Sequence, residues 1–333
     1  MPSFALSAHA NVLASIPSPS VSYIDLGPLR IHFYALCIIA GIIVAAIMTN
    51  HRLTKRGAEP WVVLDVTLPA VVLAIIGARI YHVLTHPGFY FGEGTNPLAV
   101  LYIWEGGIAI YGALIGGAVG AWLGCRWSGI RFWTYADALA PGILLAQAMG
   151  RFGNWFNQEL FGLPTNLPWG LEIDSDNVAF PPGLAPDTLF HPTFLYEVIW
   201  NVAGVFVLLW AGRGVRMQWG RLFGLYLVWY SAGRIVWESI RIDPSEILLG
   251  LRTNVWAAIF GVLIGLAIIV VQKARHTGLE PGPYVPGRGP GSEPAEEGAG
   301  VQSQETTEFV DVSEPPANEL ENGATATSTV ATK

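Results

Sequence analysis

Four polar residues in an otherwise apolar stretch follow the period of an α-helix. Tyr230, Arg234, Glu238 and Arg241 are separated by four, four and three residues. This spacing places the four side chains on one helical face, where Glu238 can pair with the arginine on either side of it. A guanidinium carries five N–H donors, so both arginines keep donors for another acceptor. The face therefore predicts a site for an anionic group.

A second polar run begins where another apolar stretch ends. Arg151 and Asn154 lie three residues apart, next to Gly150 and Gly153. Glycines allow a ligand to come close to the backbone. Arginine binds phosphate and carboxylate groups through two parallel hydrogen bonds. Two separate arginine-bearing segments that face one cavity would indicate an anionic ligand, whereas one protein carboxylate would satisfy only a single arginine.

The composition indicates a membrane protein. The chain has 333 residues, of which 52% are hydrophobic and 13% charged, with 13 Trp. This is too apolar for an ordinary soluble domain. Ten acidic and two basic residues follow residue 276, so the net charge of −7 comes from this end and the remainder is nearly neutral. Two cysteines, Cys37 and Cys125, predict neither a disulfide framework nor a cysteine metal site.

We predict an all-α integral membrane protein with about seven transmembrane helices, because seven apolar segments approach the roughly 20 residues needed to cross a bilayer. These segments are Ile31–Thr49, Trp61–Leu84, Leu98–Trp122, Trp133–Gly150, Thr193–Ala211, Leu222–Ile240 and Val255–Gln272. Lys and Arg concentrate in the connections after the odd-numbered segments. Since basic residues favour the cytoplasmic side, the N-terminus is predicted outside and the C-terminus inside.

Three regions follow from this pattern. Residues 1–25 form an extracytoplasmic N-terminal segment, and residues 26–276 form the seven-span domain. Residues 277–333 are rich in Pro, Gly, Glu, Ser and Thr and are predicted to be a disordered acidic cytoplasmic tail, because they contain too little apolar surface to offset the entropy of ordering. A role of this tail in binding a partner stays open.

Glycine recurs every four residues in the third segment, at Gly112, Gly116, Gly120 and Gly124. The four glycines share one helical face. Such a face allows another helix to pack closely in lipid. We interpret it as scaffold rather than as part of a site.

Charged residues within apolar segments need a reason, since each costs about 2.5–3.5 kcal/mol at the centre of a membrane helix. For Asp65 and Asp137, isolated near segment ends, we expect pairing that joins helices. For the arginines we expect a ligand, because Arg151 and Arg234 lie on segments that also carry amide or phenol groups. The residues alone predict an intramembrane site for an anionic phospholipid.

The sequence also resembles the prolipoprotein diacylglyceryl transferase family, from about Tyr23 to Arg275. The matching motifs are Ile31-His32-Phe33-Tyr34, Gly77-Ala78-Arg79-Ile80-Tyr81, Trp104-Glu105-Gly106-Gly107, Gly150-Arg151-Phe152-Gly153-Asn154 with Asn157, Glu159 and Gly162, Pro164-Thr165-Asn166-Leu167-Pro168-Trp169-Gly170, His191-Pro192-Thr193-Phe194-Leu195-Tyr196-Glu197, and Tyr230 with Arg234, Glu238 and Arg241. The Gly-Arg-Phe-Gly-Asn motif alone would be weak, but several motifs in order are specific.

The resemblance implies a reaction in the bacterial plasma membrane. An sn-1,2-diacylglyceryl group passes from phosphatidylglycerol to the lipobox cysteine of a prolipoprotein, which forms a thioether and releases glycerol 1-phosphate. The partners are therefore phosphatidylglycerol and prolipoprotein signal peptides, with no nucleic acid. No cofactor and no metal are implied. The nucleophilic thiol belongs to the substrate, so neither Cys37 nor Cys125 is needed.

The same resemblance implies roles for individual residues. Catalytic roles fall to Arg151, Arg234, Tyr111, Tyr34 and Glu159. Substrate-binding roles fall to Asn154, Asn157, Tyr230, Glu238, Arg241 and Arg79. Arg151 and Arg234 would bind the phosphate, and Asn154 and Asn157 would contact the phosphate or the headgroup glycerol. Glu159, Glu238 and Arg241 would orient them.

One position departs from the family pattern. Tyr111 stands where many relatives have a His that is a candidate general base. A phenol, with a reference pKa near 10, is a poor base at neutral pH. Either Tyr111 acts through hydrogen bonding, or another group such as Glu159 receives the thiol proton. The identity of the base stays open at this point.

Two other functions are consistent with buried charges in a membrane protein. A transporter is disfavoured because the sequence has no matched halves with interrupted helices. A non-catalytic phospholipid-binding protein would explain arginines but would not need donors on two separate segments. Both remain alternatives to the transferase.

Overall fold

The computed structural model describes residues 15–27 and 29–290. Within this range seven helices of 19 residues or more and one short helix are present. The helices are α1 (Phe33–Thr54), α2 (Val63–Thr85), α3 (Gly88–Phe91), α4 (Ile110–Ser128), α5 (Phe132–Phe156), α6 (Thr193–Arg213), α7 (Arg221–Ile240) and α8 (Thr253–Arg275). Three antiparallel two-stranded sheets are also present among the described residues. They pair β1 (Tyr23–Leu26) with β2 (Leu29–His32), β3 (Leu171–Glu172) with β4 (Leu189–Phe190), and β5 (Ile247–Leu248) with β6 (Leu251–Arg252).

The chain is mostly helical, as predicted. Each predicted apolar segment overlaps one of the seven long helices. Among the described residues, α1, α2, α6 and α8 are long and apolar enough to cross a membrane. The presence of these four helices is consistent with the predicted all-α membrane protein.

The predicted start of the third span, at Leu98, is wrong. Short 3₁₀ turns occupy Pro97–Leu101 and Ile103–Glu105, and the helix begins only at Ile110. Gly106 and Gly107 have φ of 92° and 70°. These positive values are incompatible with a right-handed helix, so the helix begins only after them. Apolar composition alone could not locate this break, because exposed Leu98, Leu101 and Trp104 continue the hydrophobic pattern outside the helix.

The glycine face of α4 packs directly on α2, as predicted. A Cβ at Gly116 would collide with the carbonyl oxygen of Leu73, and one at Gly124 would lie 2.6 Å from Cα of Val66. Only glycine permits this separation between the two backbones. Close backbone contact of this kind stabilises helix pairs in lipid, which supports a scaffold role for this face.

At one end of the bundle, the connection between α5 and α6 folds against the helix ends. Phe161, Leu171, Ile173, Phe190 and Phe194 form a small buried apolar cluster there. A backbone bridge between Gly162 and Arg241 joins this connection to the end of α7. The connection is therefore packed onto the same helix ends that carry Arg151 and Arg241, and we refer to this end as the site end.

At the opposite end, residues 277–290 pack against the bundle, and we call this segment the C-terminal clasp. Tyr284 packs on the buried cluster that contains Val62 and Ile130, and its hydroxyl accepts a hydrogen bond from the backbone N–H of Glu59. The prediction of disorder from residue 277 therefore needs correction for these residues. The rest of the predicted tail, and residues 1–14 of the predicted N-terminal segment, lie outside the described residues.

Candidate functional site

The arginines that the sequence analysis placed on separate segments meet around one carboxylate. Nε of Arg151, on α5, lies 2.7 Å from Oε2 of Glu197, near the start of α6. Nη1 of Arg234, on α7, lies 3.9 Å from Oε1 of the same carboxylate. Glu197 is buried, and the side chains of both arginines are mostly buried. Three helices thus bring two guanidinium groups together at the site end.

The predicted ladder along α7 is also present. Nη2 of Arg234 lies 2.9 Å from Oε2 of Glu238, and Nη1 of Arg241 lies 3.6 Å from the same oxygen. The side chain of Glu238 is fully buried. The spacing of four and three residues along one helix accounts for both ion pairs, as expected from the helical period.

Sequence reasoning missed two contributors to this cluster that come from beyond α7. Nε of Arg252 lies 3.1 Å from Oε1 of Glu238, and its other nitrogens donate to the carbonyl oxygens of Arg241 and Asp243. Nδ2 of Asn254 donates to Oε1 of Glu238 at 3.0 Å. Beyond Arg151 and Arg241, Arg252 was the one basic residue in the connections after the even-numbered segments. That was the one signal available, but nothing local linked it to Glu238.

Glu197 was missed as a bridging residue for a different reason. It was identified only as part of a family motif, because no spacing rule relates α6 to α5 or α7. Its position between Arg151 and Arg234 depends on how the three helices pack. Asp243 was also missed, and it accepts a hydrogen bond from Nε of Arg241 at 2.6 Å.

The polar run after Arg151 forms a local network. Nη1 of Arg151 donates to Oδ1 of Asn154 at 3.2 Å. Nδ2 of Asn154 donates to Oε1 of Glu159 at 2.8 Å, and Nδ2 of Asn157 donates to the same oxygen at 3.3 Å. Four predicted site residues are therefore connected by consecutive hydrogen bonds. The network orients the Arg151 guanidinium from one side while Glu197 holds it from the other.

Two of the three predicted tyrosines, Tyr34 and Tyr230, lie beside these groups. The Tyr34 ring packs against Gly153 so closely that a Cβ at Gly153 would collide with it. The ring of Tyr230 stacks with that of Tyr226, with centroids 6.1 Å apart. Tyr230 precedes Arg234 by one helical turn, so its phenol lies on the face that carries the ladder.

Two predicted site residues lie in a different setting. Arg79 donates from Nε to the carbonyl oxygen of Val100 at 2.8 Å and from Nη1 to that of Gly106 at 2.6 Å, with further bonds to neighbouring carbonyls. Its guanidinium thus holds the irregular segment between α3 and α4. Tyr111, at the start of α4, packs its ring against Tyr81 at 6.1 Å. Substrate contact by either residue stays a prediction.

The arginines and carboxylates of the cluster nearly cancel in charge, but several of the guanidinium donors have no hydrogen-bond acceptor. Within the described part of the chain, Nη1 of Arg234, Nη1 of Arg241 and Nε of Arg252 are buried without a hydrogen-bond partner. They are held by ion pairs of longer or poorly aligned geometry. A buried donor without a partner is costly, on the order of 1–3 kcal/mol. Guanidinium donors without partners at one end of the bundle match the oxygen-rich surface of a phosphate group.

The described residues hold no group of three or more His, Cys, Asp and Glu side chains close enough to bind a metal ion. The expectation that the chain needs no metal or cofactor stays a prediction.

The fold and the cluster define a helical membrane protein with a buried arginine–carboxylate site at one end of its bundle. The family model for prolipoprotein diacylglyceryl transferase matches residues 21–271. The chain belongs to this family, as the sequence motifs indicated.

Named relatives agree with this assignment. A phosphatidylglycerol–prolipoprotein diacylglyceryl transferase of Leifsonia xyli is 62% identical over 287 residues, which cover 83% of this chain and 86% of the relative. A transferase of the same name from Streptomyces coelicolor is 48% identical, covering 80% of this chain and 84% of the relative. Another from Paenarthrobacter aurescens is 46% identical, covering 78% and 84%. The chain is accordingly a transferase.

Proposed function

We propose that this enzyme transfers the diacylglyceryl group of phosphatidylglycerol to the lipobox cysteine thiol of prolipoproteins. Family membership and the names of the relatives support this reaction. The observation from the structure that supports it most directly is the pairing of Arg151 and Arg234 through Glu197. This arrangement offers two cationic groups to one phosphate at the end of an apolar bundle.

The proposed setting is the bacterial plasma membrane, crossed by all seven long helices, with the site end outside. Four helices are apolar enough to cross a bilayer. The opposite end carries Arg52, Lys55, Arg56, Arg126, Arg131, Arg213, Arg216, Arg221, Lys273 and Arg275. This excess of basic residues supports a cytoplasmic location for that end. The site would then face the leaflet in which a signal peptide presents its cysteine for modification.

The proposed chemistry is a displacement at the glycerol carbon that carries the phosphate. The cysteine sulfur forms a bond to this carbon, the carbon–oxygen bond to phosphate breaks, and glycerol phosphate leaves with the electron pair. The thiol proton passes to a base. Negative charge grows on the leaving phosphate, and preorganised guanidinium donors in a dry site stabilise that charge more than water would.

We propose Glu159 rather than Tyr111 as the group that receives the proton. Glu159 is linked to Arg151 through Asn154, so its carboxylate lies next to the proposed phosphate site. Tyr111 packs against Tyr81 on the α2–α4 pair. A carboxylate is already ionised at neutral pH, whereas a phenol is not. Glu159→Gln should abolish turnover, while Tyr111→Phe should retain most of it.

The decisive experiment uses purified full-length protein in nanodiscs with phosphatidylglycerol and a lipobox peptide. We expect release of glycerol phosphate together with a matching increase in peptide mass, both dependent on the peptide cysteine. Arg30→Ala provides a matched control, because Arg30 is exposed and its ion pair is with the equally exposed Asp25. A well-folded wild-type protein that binds phosphatidylglycerol but makes neither product would contradict the transferase and favour a lipid-binding protein.

A further inference from the structure

Two residues just after α5 adopt a left-handed backbone conformation. Gln158 has a φ of 51° and Leu160 a φ of 59°. This conformation brings the Cβ of an L-residue close to the following carbonyl oxygen, so it persists only where neighbouring groups hold it. Glu159 lies between the two residues, and its carboxylate accepts from Nδ2 of Asn154 and of Asn157. The turn that positions this carboxylate therefore depends on contacts from elsewhere in the chain.

The side-chain amide of Gln158 supplies such contacts. Gln158 is buried, and its Nε2 donates to Oδ2 of Asp174 at 2.6 Å and to the carbonyl oxygen of Pro19 at 3.1 Å. Its Oε1 accepts from the backbone N–H of Asp174 at 2.8 Å. The two acceptors around Nε2 and the donor at Oε1 fix the orientation of the amide. Three hydrogen bonds of one buried side chain thus offset the unfavourable conformation of its own backbone.

Residues 15–19 lie across the connection between α5 and α6, and we call them the N-terminal strap. Ile16 forms a parallel backbone bridge with β3, and its side chain packs on the apolar cluster of the connection. The carbonyl oxygen of Pro17 accepts from Nε1 of Trp155, in the last turn of α5, at 3.2 Å. Together with the hydrogen bond from Gln158, these contacts let the strap hold both the end of α5 and the turn that follows it.

We propose that Gln158 is a positioning residue for the transfer reaction. Braced by Asp174 and the N-terminal strap, it holds the turn that keeps the Glu159 carboxylate next to the proposed phosphate site. The inference rests on the proposed function, because Gln158 acts through Glu159 while its own hydrogen bonds go to Asp174 and to the strap. It also makes the strap, which is remote from Glu159 in the sequence, part of the structure that positions the reacting groups.

The first test compares alanine and glycine at position 158 in the nanodisc assay. Gln158→Ala removes the three hydrogen bonds but keeps a Cβ, so the left-handed conformation is no longer held. We expect kcat to fall about tenfold, less than the roughly 10²-fold that a misplacement of 1 Å can cause. KM for phosphatidylglycerol should stay within about twofold, because Arg151 and Arg234 keep their ion pairs with Glu197. Gln158→Gly should regain most of the lost kcat, because glycine adopts a positive φ without help.

Asn177→Ala is the matched control. Asn177 lies in the same connection, where its Oδ1 accepts from the backbone N–H of Ala179 at 2.7 Å. This variant should keep kcat within about twofold of wild type. Wild-type kcat in well-folded Gln158→Ala, an equal loss in Asn177→Ala, or a glycine variant as impaired as the alanine variant would each overturn the positioning role.

A double-mutant cycle tests the partner of the amide. Asp174→Ala removes one acceptor of Gln158 but leaves the backbone N–H of residue 174 in place, so its effect on kcat should be smaller, about threefold. Added to Gln158→Ala, it should cause no further loss, since the two side chains act as one unit. Losses that multiply would show that the two residues act independently and would contradict the brace.

The last test does not depend on turnover. The backbone N–H groups of Asn157, Gln158 and Glu159 are hydrogen-bonded in the turn, so their hydrogen exchange reports its opening. In Gln158→Ala we expect about tenfold faster exchange, the factor for a net loss of about one hydrogen bond, and no change in Asn177→Ala. Unchanged exchange in Gln158→Ala would refute the brace. Faster exchange in a protein whose wild type makes no product would reject the proposed reaction and leave the brace as a purely structural device.

Discussion

Buried carboxylates occur at both ends of the bundle, but they are satisfied in different ways. Opposite the site, Asp137 accepts from the backbone N–H of Gly220 at 2.8 Å and from that of Phe223 at 2.9 Å. Glu280 of the C-terminal clasp accepts from the backbone N–H of Trp219 and from the hydroxyl of Thr134, and pairs with Arg56. Each oxygen of both carboxylates therefore has a protein donor.

At the site end, Glu197 and Glu238 are surrounded by arginines rather than by backbone N–H groups. Oε2 of Glu238 and Nη1 of Arg234 are buried and form ion pairs without well-aligned hydrogen bonds. Where backbone N–H groups satisfy both oxygens of a carboxylate, the carboxylate has a structural role. The arginines at the site end retain donors without hydrogen-bond partners, which under the proposed function would bind the phosphate of the lipid. We therefore expect substitutions at the site end to lower activity and substitutions at the opposite end to lower stability.

The largest effect is expected for Arg234→Ala. We propose that Arg234 binds the leaving phosphate, so removing its guanidinium should lower turnover about 10³-fold, in the range seen when one charge-stabilising donor is lost. The melting temperature should change little, because Glu238 keeps Arg241 and Arg252 as partners. Coupled release of glycerol phosphate measures turnover, and a thermal scan in nanodiscs measures folding.

Arg234→Lys is the companion variant, because it keeps a positive charge but loses the planar fork that binds phosphate through two hydrogen bonds. It should fold normally and remain well below wild-type turnover. Full activity in either well-folded variant would refute a role of Arg234 in binding phosphate.

Asp137→Asn should show the opposite pattern. The amide keeps one acceptor but directs an NH₂ group at a backbone N–H, so we expect a loss of about 2–3 kcal/mol in the free energy of unfolding. Activity per folded molecule should stay within about twofold of wild type. Thermal unfolding and turnover normalised to folded protein test both statements. A large fall in specific activity with unchanged stability would remove the distinction between the two ends.

Glu197→Gln tests whether the bridging carboxylate positions the two arginines of the site. The amide keeps the shape of the bridge but removes its charge, so Arg151 and Arg234 should be less well positioned. We expect kcat to fall about tenfold, or roughly 1.4 kcal/mol, with KM for phosphatidylglycerol unchanged or lower. A positioning role requires this split between kcat and KM. A rise in KM alone would instead indicate direct contact of Glu197 with the lipid.

The smallest effect is expected for Glu280→Gln. The amide retains an acceptor for Trp219 and loses the ion pair to Arg56, which should cost about 1 kcal/mol. Turnover should not change. Truncation after residue 276 gives the upper limit of what the clasp contributes, because it also removes Tyr284 from its cluster. A thermal shift larger in Glu280→Gln than in the truncation would contradict this account of the clasp.

Local patterns in the sequence predicted the parts that depend on one helix. The face of Tyr230, Arg234, Glu238 and Arg241 follows from a period of about 3.6 residues, and the ion pairs along α7 have that register. The glycine face of α4 was identified in the same way, and its close contact with α2 is present. In contrast, the start of α4 was misplaced because apolar composition continues through the irregular segment that Arg79 holds.

The sequence by itself determined the apolar class of the protein, its long helices and the helical face that carries the α7 charges, because each depends on composition or on contacts within a few residues. Only the tertiary structure decided that Glu197 joins Arg151 to Arg234, that Arg252 from a β-hairpin reaches Glu238, and that Glu280 is ordered. The contact of Arg252 with Glu238 spans 14 positions of the chain, and that of Glu280 with Trp219 spans 61. No periodicity relates such positions, and the cost of burying each charge is offset only when packing supplies its partner.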